Sequence, residues 1–169
     1  MSKRNRTILI VVALLLVLAL PTAALANTKK WMAGLSTTNE LHEVVGSQAN
    51  GSFALRATAT GYHFKLVVIG LSGAPTGAHI HGPATAAENA PVLISLCGAP
   101  APAALPTCGE IVDGKLIVEG DLTSALFAQW GLGGAYFRDL LNTSLTYVNV
   151  HTELNPMGEV RGQIVPLVP

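Results

Sequence analysis

Two of the five histidines are separated by a single residue, within the stretch Thr76 to Pro83. Side chains alternate between the faces of a strand, so in a strand His79 and His81 would point to the same side. Two neutral imidazoles on one strand could hold copper or zinc if a third ligand came from elsewhere in the fold. The spacing is therefore compatible with a metal site in which these two histidines are ligands.

The best candidate for the third ligand is His151, which lies in a run rich in β-forming residues. The run alternates so that Tyr147, Asn149 and His151 share one face of a strand. A second interpretation remains open, because strand histidines can simply hydrogen-bond backbone or carboxylate groups and hold loops together. The two remaining histidines, His42 and His63, are interpreted as ordinary surface or strand residues.

Glu159 and Arg161 also have two interpretations. They lie two residues apart on one predicted strand, so they could form an intrastrand or cross-strand ion pair that ties this strand to the preceding turn. Alternatively, Arg161 could guide an anion towards the histidines. Other chemistries lack their motifs: the chain has no Gly-x-Ser-x-Gly, phosphate loop or dinucleotide fingerprint, and its few carboxylates are scattered.

Short hydrophobic runs separated by glycine and proline predict seven or eight strands. Residues 51–60 alternate clearly, whereas the apolar run 66–69 predicts a strand that is buried on both faces or covered by a loop. A short helix is expected over 124–130, with Thr123 as its N-cap, and a second helical turn over 135–142. This pattern is typical of an all-β antiparallel sandwich or small barrel with a short helical insertion.

The first 26 residues resemble a secretory signal peptide. Lys3, Arg4 and Arg6 precede an apolar run over 7–20, and an Ala-x-Ala site ends at Ala26. The prediction is a leader over 1–26 followed by a single β-domain over 27–169, secreted or held in the cell envelope. The alternative is an uncleaved anchor, through which alone the protein would contact a membrane.

Residues 27–169 carry seven basic and ten acidic residues, a formal net charge of −3. This mildly acidic balance argues against a nucleic-acid partner. Cys97 and Cys108 bracket a proline-rich loop, and a disulfide between them suits an extracytoplasmic compartment and would contribute about 3 kcal/mol. A pair of metal thiolates is the weaker alternative, because no Cys-x-x-Cys spacing or neighbouring histidine accompanies them.

Two blocks of the sequence carry a family resemblance. Residues 78–83 read Ala-His-Ile-His-Gly-Pro, and residues 147–152 and 155–162 read Tyr-Val-Asn-Val-His-Thr and Asn-Pro-Met-Gly-Glu-Val-Arg-Gly. In order and spacing they resemble the CHRD (chordin) domain, over roughly residues 32–165. The resemblance implies a secreted antiparallel β-domain, with a Greek-key barrel similar to that of copper,zinc superoxide dismutase.

That likeness implies roles for particular residues. In such a dismutase, one strand offers His-x-His to copper, a late strand offers a further histidine, and a following arginine guides the anionic substrate. The same order is found here: the His-x-His pair is His79 and His81, the later histidine is His151, and the following arginine is Arg161. Residues 82–91 contain no histidine, however, and the two cysteines lie elsewhere than in that enzyme, which argues against a copper-zinc centre.

The first functional interpretation is therefore a non-enzymatic binding or structural module that meets an unidentified protein or glycan partner. The alternative is a protein that binds copper or zinc through His79, His81 and His151 and that could act as a redox enzyme resembling superoxide dismutase.

Overall fold

Eight strands and two short helices are formed by the residues that the structure describes, a computed structural model covering 29–100 and 107–167. The strands are β1 (Lys30–Ser36), β2 (Asn50–Thr58), β3 (Gly61–Ile69), β4 (Pro75–His81), β5 (Val92–Gly98), β6 (Lys115–Thr123), β7 (Thr146–Thr152) and β8 (Val160–Pro166). The helices are α1 (Ser124–Gln129) and α2 (Gly134–Asn142). The segment 1–26 lies outside the described residues, so the signal peptide stays a prediction.

Strands β2 and β3 show how the hydrophobic alternation makes the barrel wall. Phe53 and Leu55 on β2 and Leu66 on β3 are buried, and the residues between them turn outwards. The prediction that residues 66–69 are buried on both faces is wrong, because Ile69 is 43% exposed. The outer face of β3 is open to solvent there, so only alternate residues of this apolar run enter the core.

The strands form one antiparallel sheet in the order β5-β4-β7-β8-β1-β2-β3-β6. After β1, β2 and β3 the chain crosses to form β4 and β5, returns to place β6 beside β3, and crosses again to place β7 between β4 and β8. Such crossings are Greek-key connections. The edge strands β5 and β6 approach each other and leave the barrel nearly closed. The predicted all-β Greek-key barrel is confirmed.

The two helices cap one end of the barrel and confirm the predicted helical insertion. The Thr123 side chain accepts a hydrogen bond from the backbone N–H of Leu126, which is the expected N-cap of α1. Phe127 of α1 and Phe137 of α2 both contact the Tyr62 ring edge-on, with centroids 5.9 and 5.5 Å away. Across the described ranges, helices fall short of the length and apolar character needed to cross a bilayer.

The connection between the two edge strands carries both cysteines. Cys97 lies on β5, Cys108 precedes β6, and their sulfur atoms are 2.10 Å apart, which is the distance of a disulfide bond. Both side chains are buried. The covalent link therefore ties the loop between β5 and β6 to the wall of the barrel at the point where the sheet is not hydrogen-bonded closed.

The two halves of the sheet differ in what lies on their outer faces. The half made of β5, β4, β7 and β8 is covered by connecting segments. The polar residues that are buried as a whole in the described chain lie on these strands or in the β7–β8 turn. They are His79, His81, Ser95, Thr146, Asn149, Thr152, Asn155, Glu159 and Arg161. This covered face holds every residue that the sequence nominated for chemistry except the cysteines.

Candidate metal centre

The register between β4 and β7 brings three histidines together. His79 pairs with Asn149 and Gly77 pairs with His151, so His151 is the diagonal neighbour of His79 on the outer face. One ring nitrogen from each of His79, His81 and His151 lies within 4.8 Å of the other two. The three predicted ligands are therefore adjacent in space, whereas metal binding by them stays a prediction.

One nitrogen of each imidazole is hydrogen-bonded to a backbone carbonyl. Nε2 of His79 lies 2.6 Å from the oxygen of Ala99, and Nδ1 of His81 lies 2.9 Å from that of Ala90. Nδ1 of His151 lies 3.1 Å from the oxygen of Pro156. A carbonyl oxygen can only accept, so each of these nitrogens carries the proton and donates it. The carbonyls thus assign one tautomer to each ring.

Among residues 29–100 and 107–167, the second nitrogen of each ring finds no hydrogen-bond partner. These atoms are Nδ1 of His79, Nε2 of His81 and Nε2 of His151, and all three are buried. In the assigned tautomers each bears a free lone pair. A ligating histidine characteristically donates its other N–H to a carbonyl or carboxylate, which orients the ring towards the metal. The arrangement therefore combines three bare donor atoms with their orienting hydrogen bonds.

Burial keeps the three imidazoles neutral. Desolvation, reinforced by the neighbouring His151, lowers the pKa of His79 to about 4. Desolvation likewise lowers the pKa of His81 to about 4, although its bond to Ala90 acts in the opposite direction. The pKa of His151 is also lowered, chiefly by burial. At neutral pH protons do not compete for the lone pairs, which is the state that a metal requires.

Arg161 lies one aromatic ring away from this cluster. Its guanidinium carbon is 3.5 Å from the centre of the Tyr147 ring, and the His81 ring stacks on Tyr147 with centroids 4.8 Å apart and an interplanar angle of 3°. Because β7 lies between β4 and β8, His81 and Arg161 flank Tyr147 from opposite sides. The three side chains form a stack along the covered face.

The same arginine holds the 84–90 loop. Its guanidinium donates to the Asn89 side chain at 2.9 Å and to the backbone oxygens of Glu88 at 2.6 Å and Thr85 at 3.2 Å. Arg161 is 1% exposed. These contacts favour the structural interpretation of Arg161, and its role as an anion guide stays a prediction.

Glu159 has a different environment from the one predicted. Its carboxylate accepts hydrogen bonds from five donors on the Ser47, Ser72, Thr152 and Asn155 side chains and the Ser72 backbone. Burial raises the pKa of this carboxyl, but the bonds from Ser47, Thr152 and Ser72 outweigh burial and lower it overall. The expected ion pair with Arg161 is therefore wrong, because each residue binds other groups.

The structure also shows a buried carboxyl that the sequence did not nominate. The side chain of Glu40 is 2% exposed, accepts a bond from Nδ2 of Asn149 at 3.4 Å and lies 3.8 Å from Nδ1 of His42. Desolvation raises its pKa to about 7, although Arg161 acts to lower it. Gly158 adopts a φ of 130°, a conformation that residues with a Cβ rarely adopt, so this turn favours glycine.

The other two histidines lie outside the cluster. Nε2 of His42 lies 3.0 Å from the oxygen of Gly158. His63, on β3, lies on the opposite half of the sheet between the exposed carboxylates of Asp121 and Glu119, at 2.8 and 3.1 Å. His63 therefore provides a natural control for experiments on the three clustered residues.

A Greek-key barrel with three convergent histidines on its covered face defines an all-β domain with a candidate metal centre. The chain belongs to the CHRD domain family, whose model matches residues 31–164. That span contains the three histidines, Glu159 and Arg161, and it confirms the predicted family. Searches of curated proteins and of solved structures found no match.

Proposed function

We propose that this CHRD-domain protein works outside the cytoplasm and binds one copper or zinc ion through His79 Nδ1, His81 Nε2 and His151 Nε2. The observation that carries the proposal is a cluster of three imidazoles. Each offers a ring nitrogen within 4.8 Å of those of the other two. Each ring also buries one nitrogen that lacks a partner among the described residues. Buried polar atoms are nearly always hydrogen-bonded, so three orphaned acceptors in one place call for a ligand.

The donor set fits these metals. Neutral imidazoles suit both copper and zinc, and no proton has to be displaced at neutral pH. Metal–nitrogen bonds of about 2.0 Å require the nitrogens to be roughly 3.3 Å apart. Nitrogens that lie within 4.8 Å of one another must therefore approach by up to about 1.5 Å on binding. Small rotations about the side-chain bonds supply such a movement, with the carbonyl of Ala90, Ala99 or Pro156 as the pivot of each ring.

The alternative, in which the three histidines only hold loops together through hydrogen bonds, accounts for only half of this arrangement. It explains why each histidine ties down a loop carbonyl, but it leaves the second nitrogen of each ring buried and unused. A residue selected only to hold a loop would gain stability if its second nitrogen were also paired. A binding role is therefore the better proposal, and a surface role towards a protein or glycan partner remains a separate prediction.

An extracytoplasmic location is part of the proposal. The predicted leader over 1–26 supports it, and so does the cysteine pair, because disulfides persist in oxidising compartments. Mass spectrometry of the exported protein tests it: cleavage after Ala26 should give a chain that begins at Asn27, without free thiols. A full-length chain, or two reactive thiols, would contradict this part of the proposal.

The metal site is tested with the exported protein, by elemental analysis followed by titration with copper and zinc against competing chelators. We expect one equivalent of metal, and a loss of affinity of at least about 100-fold in His79→Ala and His151→Ala. His63→Ala is the matched control and should bind as the unmodified protein does. Absence of stoichiometric binding, or equal affinities in all variants, would refute the site.

A further inference from the structure

The burial and the charge of the groups around the three nitrogens bear on whether a monovalent or a divalent metal ion would bind there. The unpartnered nitrogens are buried, and an imidazole that binds a metal through its lone pair brings no charge of its own. Within the described ranges, the metal-binding group contains histidines alone, without a carboxylate or thiolate. Building on the proposed metal site, we propose that it is selective for copper in the monovalent state, copper(I), over copper(II) and zinc(II).

The first argument is the cost of burying charge. The Born cost of moving an ion from water into a low-dielectric interior grows with the square of its charge, so a divalent ion costs about four times as much as a monovalent one. In many zinc sites, cysteine or carboxylate ligands offset this cost. Three imidazoles bring no negative charge, and a divalent ion would keep its full charge inside the protein.

The second argument is coordination number. Zinc in proteins takes four ligands, and where the protein supplies three, the fourth is water or substrate. Here the three nitrogens are shielded from solvent. Copper(I) is stable with three nitrogen ligands in a planar arrangement, so it needs no solvent molecule, whereas zinc would require the covering loops to admit one.

The third argument is the fixed charge of the surroundings. Arg161 is permanently cationic and stacks on Tyr147, which in turn stacks on His81. The buried carboxyl of Glu40 is only partly ionised at neutral pH, since its pKa is about 7. The charge of Glu159 is already neutralised by five hydrogen-bond donors around the β7–β8 turn. His42, which lies 3.8 Å from Glu40, adds no negative charge. A nearby positive charge repels a divalent ion more strongly than a monovalent one.

The test compares three probes on the exported protein: copper(I) without oxygen against a chromophoric copper(I) chelator, then copper(II) and zinc(II) against matched chelators. We expect copper(I) to bind at least about 1,000-fold more tightly than zinc(II). The reduction potential of the copper-loaded protein should also lie above that of aqueous copper. His63→Ala should reproduce both results.

The outcomes separate this inference from the proposed function. If zinc(II) or copper(II) binds as tightly as copper(I), the selectivity is refuted while the metal site stands. If all three metals fail to bind, both are refuted. A potential at or below that of the aqueous couple also refutes the selectivity, and it is measured on the protein without any substitution.

The contribution of Arg161 is tested with two variants. Arg161→Lys and Arg161→Gln both disturb the hold on the 84–90 loop, but only the lysine retains the positive charge. The preference for copper(I) over zinc(II) should fall by about tenfold in Arg161→Gln and persist in Arg161→Lys. An equal fall in both variants would assign the effect to the loop and would refute the role of the charge.

Discussion

Two polar clusters, one on the covered face of the sheet and one around the β7–β8 turn, differ in how completely their hydrogen bonds are satisfied. The Glu159 cluster consists of Glu159, Ser47, Ser72, Thr152 and Asn155, and its carboxylate accepts five hydrogen bonds. The histidine cluster consists of His79, His81 and His151, and each of its rings has one bonded and one unpartnered nitrogen.

The difference separates framework from function. A buried polar network whose members are all satisfied strengthens its own bonds in the low dielectric and rigidifies the fold. Buried acceptors without partners cost stability, and one ligand shared by three neighbouring imidazoles would offset that cost at all three rings. We therefore expect the Glu159 cluster to determine whether the chain folds and the histidine cluster to determine what the folded chain binds.

The largest expected effect is on the Glu159 cluster. Glu159→Gln replaces an acceptor-only carboxylate with an amide whose NH₂ faces hydroxyl and backbone donors. Because bonds to a buried charge are lost, the free energy of unfolding should fall by about 3 to 5 kcal/mol in urea denaturation. Glu153→Gln, at an exposed site nearby, is the control. Equal stability of the two variants would show that the cluster is not framework.

The histidine cluster should instead make the metal-free protein sensitive to acid. His79 and His81 have pKa values of about 4 in the folded chain against the ordinary 6.5, so the unfolded chain binds more protons between these pH values. Their stabilising contribution is complete above pH 6.5 and is lost as the pH falls through 4. The loss is about 3 kcal/mol for each histidine.

Denaturation curves from pH 4 to pH 8 check this prediction. His81→Ala should remove about 3 kcal/mol of the pH dependence, and His63→Ala should leave it unchanged. An identical pH profile in His81→Ala would mean that His81 is not held neutral by burial.

Glu40 should have the opposite and weaker effect on the pH dependence of stability. Its pKa is raised from 4.5 to about 7 in the folded protein, so the folded state binds more protons in this window and stability falls as the pH rises. Glu40→Gln removes the buried charge and should stabilise the protein by about 2 kcal/mol more at pH 8 than at pH 5. Glu43→Gln, an exposed neighbour, should show no such difference.

The barrel could be predicted from the sequence because its strands, caps and turns are specified by patterns of a few adjacent residues. The alternation along β2 and the Thr123 cap each follow from a few adjacent residues. His79 and His81 share a face for the same reason. The burial of residues 66–69 was predicted wrongly because the hydrophobicity of a strand does not show which of its faces a loop covers.

The rest of the site depends on long-range contacts that no local pattern encodes. Glu40 reaches Asn149 from a connecting segment without periodicity, and Ser47 and Ser72 reach Glu159 from two different loops. The expected ion pair between Glu159 and Arg161 assumed that neighbours on one strand are each other's best partners. In the folded chain, loop residues donate hydrogen bonds to Glu159 and accept hydrogen bonds from Arg161, and these contacts replace an ion pair between the two residues.

The smallest expected change in stability belongs to His151, and it tests the comparison most sharply. Its ring is partly exposed, it makes one hydrogen bond at 3.1 Å to Pro156, and it buries one unpartnered nitrogen. Losing the bond destabilises and removing the orphaned nitrogen stabilises, so His151→Ala should change the free energy of unfolding of the metal-free protein by about 1 kcal/mol or less. The same variant should lose the metal. If His151→Ala destabilises as much as Glu159→Gln, His151 is framework, because a residue retained for a ligand need not hold the empty fold together.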